Sequence, residues 1–406
     1  MPVLLSQFIE ACRWVGALLV LAVHSTNMFV NLADIMSAPH AASVYAWWFF
    51  VSFELGHQAV VGFFAISGYL VGGAVLAQLR KDKPFLRDYL IHRFARIYIV
   101  LAPALLVTVA ADGIGRGWLG DSGVYDWPVF KDHYRADLFL GSLANLAAIY
   151  CDFFGTNGPL WSLACEFWYY ISFPLLLLPF ARAYSLRTRA VGFALGLAIL
   201  VVMSIPSGGW FRFGYLLWGL GALATLARRP LVQSRWIALA LYVAAVIPIR
   251  LLVRGPNLEA FPYLADLADT LAAVLFLNLV VTLRFGPQQG WALFQPQLHR
   301  RLADFSFSLY SVHMPLLILA RAFVDQRFGA LWARELATPV HWQVMAAVMT
   351  AAVVFGFLFS RVTEAHTNSA RRALRRAFEA AEERRRRRVP PPLTQEPERE
   401  PQKADA

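Results

Sequence analysis

Residues 13–24 read Arg13-Trp14-Val15-Gly16-Ala17-Leu18-Leu19-Val20-Leu21-Ala22-Val23-His24. An uninterrupted apolar run separates an arginine from a histidine. Such a run sits in a segment near the ~20 residues that a helix needs to cross a bilayer. Val100–Ala111, Val191–Met203 and Val344–Phe359 repeat the pattern. Of the 406 residues 58% are hydrophobic and 16% charged, where a soluble chain carries ~25% charged. The mean hydropathy is +0.50. A soluble core could hold one or two such helices, not a whole series of them.

Working outward, apolar segments fall at roughly 9–31, 46–78, 94–112, 160–181, 190–206, 210–228, 236–253, 264–284, 304–324 and 341–362. The expected fold is an all-α integral membrane bundle of about ten transmembrane helices. The second segment is long enough to be tilted or broken. The short apolar stretch 138–152 reads as interfacial or re-entrant.

The net charge is +11, which could point to nucleic acid. The basic residues lie between spans and in the tail, with no soluble domain to present a basic face, so no nucleic acid partner is expected. With the N-terminus inside, Arg80, Lys81, Lys83, Arg87, Arg93 and Arg96 fall in inside connections, as do Arg182, Arg228, Arg229, Arg300 and Arg301. An even number of spans puts both termini in the cytoplasm. The expected organisation is a membrane domain over 1–363, a basic helix over 364–388 and a Pro-rich disordered tail over 389–406. Cys12, Cys151 and Cys165 have neither metal-site spacing nor a disulfide framework. The first segment lacks a signal-peptide cleavage site and reads as a retained helix. The one long outside loop, 113–159, carries Asp112, Asp121, Asp126, Asp132, His133, Asp137 and Asp152, which serve carbohydrate binding or simple capping.

Ionisable residues inside spans are costly and mark function by default. Here they are Arg13, His24, Glu54, His57, Glu166, His313 and Arg321. Arg13 and His24 are eleven apart, which puts both on one helical face, ~16 Å apart along the axis. A cation at the inner surface and a base deep in the bilayer then share a face that a long anionic ligand could follow. The structural alternative is a snorkelling arginine and a histidine bonded to a neighbouring helix. Arg93 and Arg96 share a face and make a fork for phosphate, or anchor topology. Ser162 and Glu166 share a face of the span entered through Gly158-Pro159-Leu160-Trp161. Trp161, Trp168, Tyr169 and Tyr170 read as an aromatic belt, but Glu166 needs a partner. Glu54 and His57 share a face that continues through Gly62 to Ser67-Gly68-Tyr69, with the glycines allowing close packing. In the ninth span Ser306, Ser308, Tyr310 and His313 precede Pro315, which frees a carbonyl.

Together these segments resemble acyltransferase family 3, polytopic enzymes that O-acylate extracytoplasmic glycans and other acceptors. Arg13-x10-His24 matches its first-helix motif. Phe63-Phe64-Ala65-Ile66-Ser67-Gly68-Tyr69-Leu70, Arg93-x-x-Arg96, Trp161-Ser162-Leu163-Ala164-Cys165-Glu166 and Ser306-Phe307-Ser308-Leu309-Tyr310-Ser311-Val312-His313-Met314-Pro315 follow in the family's order. Gly56-His57-Gln58-Ala59-Val60 departs from the usual Gly-x-x-Gly-Val-like stretch, which leaves the acceptor class open. The resemblance implies a multi-pass protein of the bacterial inner membrane that engages in polysaccharide modification. It implies no permanently bound cofactor and no metal. Acyl-CoA, most simply acetyl-CoA, is the implied donor and a carbohydrate or lipid-linked hydroxyl the acceptor. On this reading His24 and Glu166 are catalytic and Arg13, Arg93 and Arg96 bind the donor. Glu54, His57, Ser67, Tyr69, Trp161, Ser162, Tyr310 and His313 support the acceptor side. Glu166 or His57 orients His24, and an acyl-His intermediate is the covalent variant. A transporter of glycan, lipid or solute is the alternative class, although the two halves show no inverted repeat.

Overall fold

The computed structural model describes residues 1–31, 39–51, 54–207, 209–253, 255–287 and 296–388. The expected tail 389–406 and the Glu54 side chain lie outside the described residues. Among those described, the regular elements are all helical. In order they are α1 (Val3–Phe29), α2 (Ala42–Val51), α3 (Glu54–Ser67), a π-helical turn (Gly68–Gly72), α4 (Gly73–Leu79) and α5 (Leu86–Trp118). Then come α6 (Ala136–Leu143), α7 (Trp161–Leu176), α8 (Leu186–Ser204), α9 (Trp210–Ala224), α10 (Arg235–Leu252) and α11 (Gly255–Ala260). The chain closes with α12 (Leu264–Phe285), α13 (Pro296–Ala303), α14 (Ser306–Phe328), α15 (Pro339–Val362) and α16 (Thr367–Arg388).

Among the described residues, eight helices are long and apolar enough to cross a membrane. The sixth and seventh expected spans are present as α9 and α10, with 15 and 18 residues. At 1.5 Å per residue α9 reaches only ~22 Å, short of the ~30 Å hydrocarbon core. The described parts of the expected second span, 46–78, are helical, in α2 and in the run from α3 through α4; residues 52–53 lie outside the described residues. The stretch 138–152 holds the short α6 followed by a turn-rich loop, in keeping with a non-spanning segment.

α5 begins eight residues before the expected span. Its first turn is capped from a distance, because the Tyr184 hydroxyl accepts from the Phe85 and Leu86 amides at 2.7 and 2.8 Å. Arg93 and Arg96 therefore sit two to three turns inside a helix rather than at its opening. α16 is held along the start of α5 by Arg375 on Asp88 (3.0 Å) and Arg87 on Glu382 (3.1 Å).

Small residues let α9 press against the end of α3. A Cβ on Gly68 would collide with the backbone carbonyl of Trp218, and one on Gly72 would meet the Trp218 ring. The π turn starts at this contact, and such turns concentrate at functional sites. Gly62, by contrast, has open space where a Cβ would go, so close packing does not explain it. The aromatic-belt reading fails for Tyr169 and Tyr170. Both are buried, and Tyr169 donates to the Phe211 carbonyl at 2.7 Å.

Candidate active site

Five helices, α1, α3, α5, α7 and α14, surround two adjoining cavities. The inner one, of about 370 Å³, is lined by Arg13, Arg93, Arg96, Glu166, Ser67 and Tyr170 among apolar side chains. The outer one, of about 630 Å³, is lined by His24, Asn27, His57, Trp161 and Met314, together with Phe130, Phe153 and Thr156 of the long loop. Among the described residues, only Val60 and Tyr310 line both.

The inner cavity gathers the arginines because α1 and α5 both enter the bundle from the same side. Arg93 lies between the Tyr89 and Tyr170 rings, 5.8 Å from each centroid. Its Nε is buried and has no hydrogen-bond partner. A buried, unused guanidinium donor calls for an acceptor from a ligand. Arg96 lies 3.9 Å from Glu364, whose carboxylate accepts from Ser308 Oγ at 3.0 Å. Arg13 is within electrostatic reach of Arg96 and Glu364. Glu364 was not singled out in the sequence because it belongs to a segment that reads as basic.

His24 lies on the same face of unbroken α1 as Arg13, but in the outer cavity. Its Nδ1 is 2.8 Å from His313 Nε2, and the two rings are nearly parallel. His313 Nδ1 is 2.7 Å from the backbone carbonyl of Tyr310. A carbonyl only accepts, so His313 Nδ1 carries the hydrogen. In the neutral pair His313 Nε2 is then an acceptor, and His24 Nδ1 must be the donor. The free lone pair of His24 is therefore on Nε2. This is the expected histidine–neighbour contact, but the neighbour is His313, not Glu166 or His57.

Pro315 explains how this chain is anchored. It cannot donate to the Ser311 carbonyl one turn back. Asn157 Nδ2 takes that carbonyl at 3.0 Å and also bonds Thr108 Oγ1 at 3.0 Å. The loop is thereby fixed just before Pro159, whose carbonyl accepts from the Tyr310 hydroxyl at 2.8 Å. Ser162 Oγ is 2.7 Å from the same hydroxyl. With that hydroxyl's proton on Pro159, Ser162 donates.

Two expectations of placement need correction. Glu166 does not meet His24. It is five residues beyond Trp161, ~7.5 Å further along α7, and faces the inner cavity with the arginines. The Ser67 and Tyr170 hydroxyls, 3.0 Å from each other, lie beside its carboxylate. Ser67 in turn accepts from Trp218 Nε1 at 3.1 Å. Tyr69 lines neither cavity. Two residues past Ser67 it points to the opposite face, ~200° around the helix, where it meets Arg284. His57 does line the outer cavity, held by Asp269 at 2.6 Å. Gln58 Nε2 bonds the other oxygen of Asp269 at 2.7 Å.

Several other charged residues are paired within the fold. Asp112 accepts from the Thr156 amide and hydroxyl at 2.8 and 2.7 Å, tying the loop to α5. Arg321 pairs with Asp325 at 2.7 Å and bonds the Met28 carbonyl. Asp137 pairs with Arg135 at 2.7 Å.

An arginine-lined inner cavity adjoins an outer cavity that holds the hydrogen-bonded His24, in a multi-pass helical bundle. Residues 6–361 match the acyltransferase domain that defines one family of such proteins. The chain belongs to acyltransferase family 3. The acyltransferase MdmB of Streptomyces mycarofaciens is 26% identical over 375 residues, covering 87% of this chain and 89% of that protein. No solved structure matches the chain. This family 3 protein is thus a membrane O-acyltransferase.

Proposed function

We propose that the inner cavity receives acyl-CoA, most simply acetyl-CoA, from the cytoplasm, and that the outer cavity receives a hydroxyl of an extracytoplasmic or lipid-linked acceptor, a glycan in the simplest case. The positive-inside bias supports the sidedness. The phosphates sit on Arg13, Arg93 and Arg96, whose forks suit them. The arm follows α1 outward and brings the thioester to His24. His24 Nε2 takes the hydroxyl proton as the oxygen attacks the thioester carbon. The C–S bond breaks, and the departing thiolate recovers that proton from Nε2, leaving an ester and free CoA. The balance is complete without metal or redox partner.

Glu166 has its part in the inner cavity, where it offsets the like charges of Arg93 and Arg96. His57, Trp161 and Trp210 form an acceptor wall. The Trp161 and Trp210 rings lie 5.6 Å apart, and His57 packs edge-on to Trp210 at 5.7 Å. Aromatic faces beside a hydrogen-bonding histidine suit a sugar ring.

The observation that carries this reading is the lone pair on His24 Nε2 in a cavity adjoining the arginine cluster. The test uses membranes of the native host with and without the gene, given acyl-CoA radiolabelled in the acyl group. Label passing to glycan or lipid only with the gene supports it. Equal labelling in both membranes contradicts it.

A further inference from the structure

We propose that Val60 and Tyr310 form a fixed-width gate between donor and acceptor cavities, and that this gate selects the acyl group by size. The inference rests on the two-cavity reading above and goes further by assigning selectivity to two residues. Among the described residues they are the only ones that line both cavities. On the two-cavity reading, a thioester that reaches His24 from the arginine cluster passes between them.

The two walls differ in stiffness. Tyr310 is fixed at its hydroxyl by Pro159 and Ser162 and at its ring by an edge contact with Phe63, 6.2 Å between centroids. Its carbonyl is committed to His313. Its ring cannot swing without releasing the hydroxyl from Pro159 and Ser162. A gate built on Tyr310 is therefore a rigid aperture, not a moving lid.

Val60 is the adjustable wall. On α3, positions 57, 60, 63 or 64, and 67 recur at three- or four-residue intervals and so share one face. That face presents His57 to the outer cavity, Val60 at the divide, and Phe63, Phe64 and Ser67 to the inner cavity. Valine is branched at Cβ and stiff at χ1, so it fixes the opening as Tyr310 does. Phe63 packs over Gly16 of α1, where an added Cβ would meet its ring. The large ring beyond Val60 is thus held off the passage.

Changing Val60 alters the aperture without touching the arginines, His24 or His313. One added methylene in an apolar slot changes discrimination by ~10-fold or more. The experiment supplies acetyl-, propionyl- and butyryl-CoA to membranes and cytosol of the host deletion strain carrying wild type, Val60→Ala or Val60→Phe. It reads released CoA thiol above the deletion background, and calorimetry on each purified protein reads CoA affinity. Val60→Ala raises the butyryl-to-acetyl ratio of kcat/KM at least ~10-fold. Val60→Phe lowers acetyl turnover by a similar factor, with CoA affinity within twofold of wild type. An unaltered chain-length ratio in Val60→Ala overturns the gate, even if Val60→Phe fails to fold. Wild type that releases no thiol from any acyl-CoA defeats the underlying donor reading instead.

Discussion

On the proposed mechanism, His24 owes its reactivity to hydrogen-bond direction as much as to position. The carbonyl of Tyr310 fixes the hydrogen of His313, and His313 fixes the hydrogen of His24. Loss of this support leaves the imidazole free to take the wrong tautomer. His313→Leu lowers kcat by ~100-fold while the KM for acyl-CoA stays near wild type. His313→Gln, whose side-chain oxygen can still accept from His24 Nδ1, recovers most of that loss. A structural role for His313 predicts instead that both variants fail together, in kcat and in thermal stability alike.

At the inner cavity, Arg93→Ala and Arg96→Ala each raise the acyl-CoA KM by ~10-fold or more, since a charge-assisted hydrogen bond is worth ~1.5–3 kcal/mol. Steady-state kinetics against acyl-CoA checks this, and an unchanged KM in both variants contradicts it. The shared face of Arg13 and His24, and that of Arg93 and Arg96, were legible from spacing alone. Their partners were not. Asn157 looks like loop composition until Ser311 is seen lacking its helical donor. Asp269 reads as a charge near a helix start, and Gln58, which shares it, is uncharged.

At the scale of the element, the Ser67-Gly68 segment is a packing joint. Ser67 accepts from Trp218, and one residue later the α9 backbone reaches Gly68. Any side chain there must displace main chain, and overpacking of this kind costs ~1–3 kcal/mol or more. Gly68→Ala lowers the thermal midpoint in detergent, whereas Gly62→Ala, with open space at its Cβ, leaves it unchanged. Equal midpoints for the two variants contradict this account of the joint.

The same element shows where one-dimensional reading stops. The family resemblance put Tyr69 on the acceptor side with Ser67, but two residues of rotation turned it away. Glu166 was expected at the outer entrance because its helix starts there. Five residues of rise moved it among the arginines. Existence of the spans was set by hydropathy, which is local. Which cavity a side chain faces depends on neighbouring helices, which hydropathy does not encode.

Across the whole molecule, the proposed layout separates recognition of a charged donor from recognition of a hydroxyl acceptor. Arg13, Arg93 and Arg96 converge because α1 and α5 start on one side, and α16 packs against that side. The His24 cavity opens beneath the long loop on the other. The lysines and arginines of the sequence predict which side is cytoplasmic, whereas its hydropathy overstated a span length at the short α9. On the proposed orientation, a cysteine-free background carrying Asp121→Cys is labelled by an impermeant maleimide in intact cells, and Lys81→Cys is labelled only after permeabilisation. The reverse pattern inverts the orientation and removes the cytoplasmic donor.

The central claim is that His24 does chemistry between two cavities and does not bind the donor. Its most direct test measures acyl-CoA affinity and acyl transfer on the same preparation of His24→Ala. The account predicts an affinity within twofold of wild type and a transfer rate lowered by ~100-fold or more. Near-normal transfer, or a loss of binding that matches the loss of rate, contradicts it.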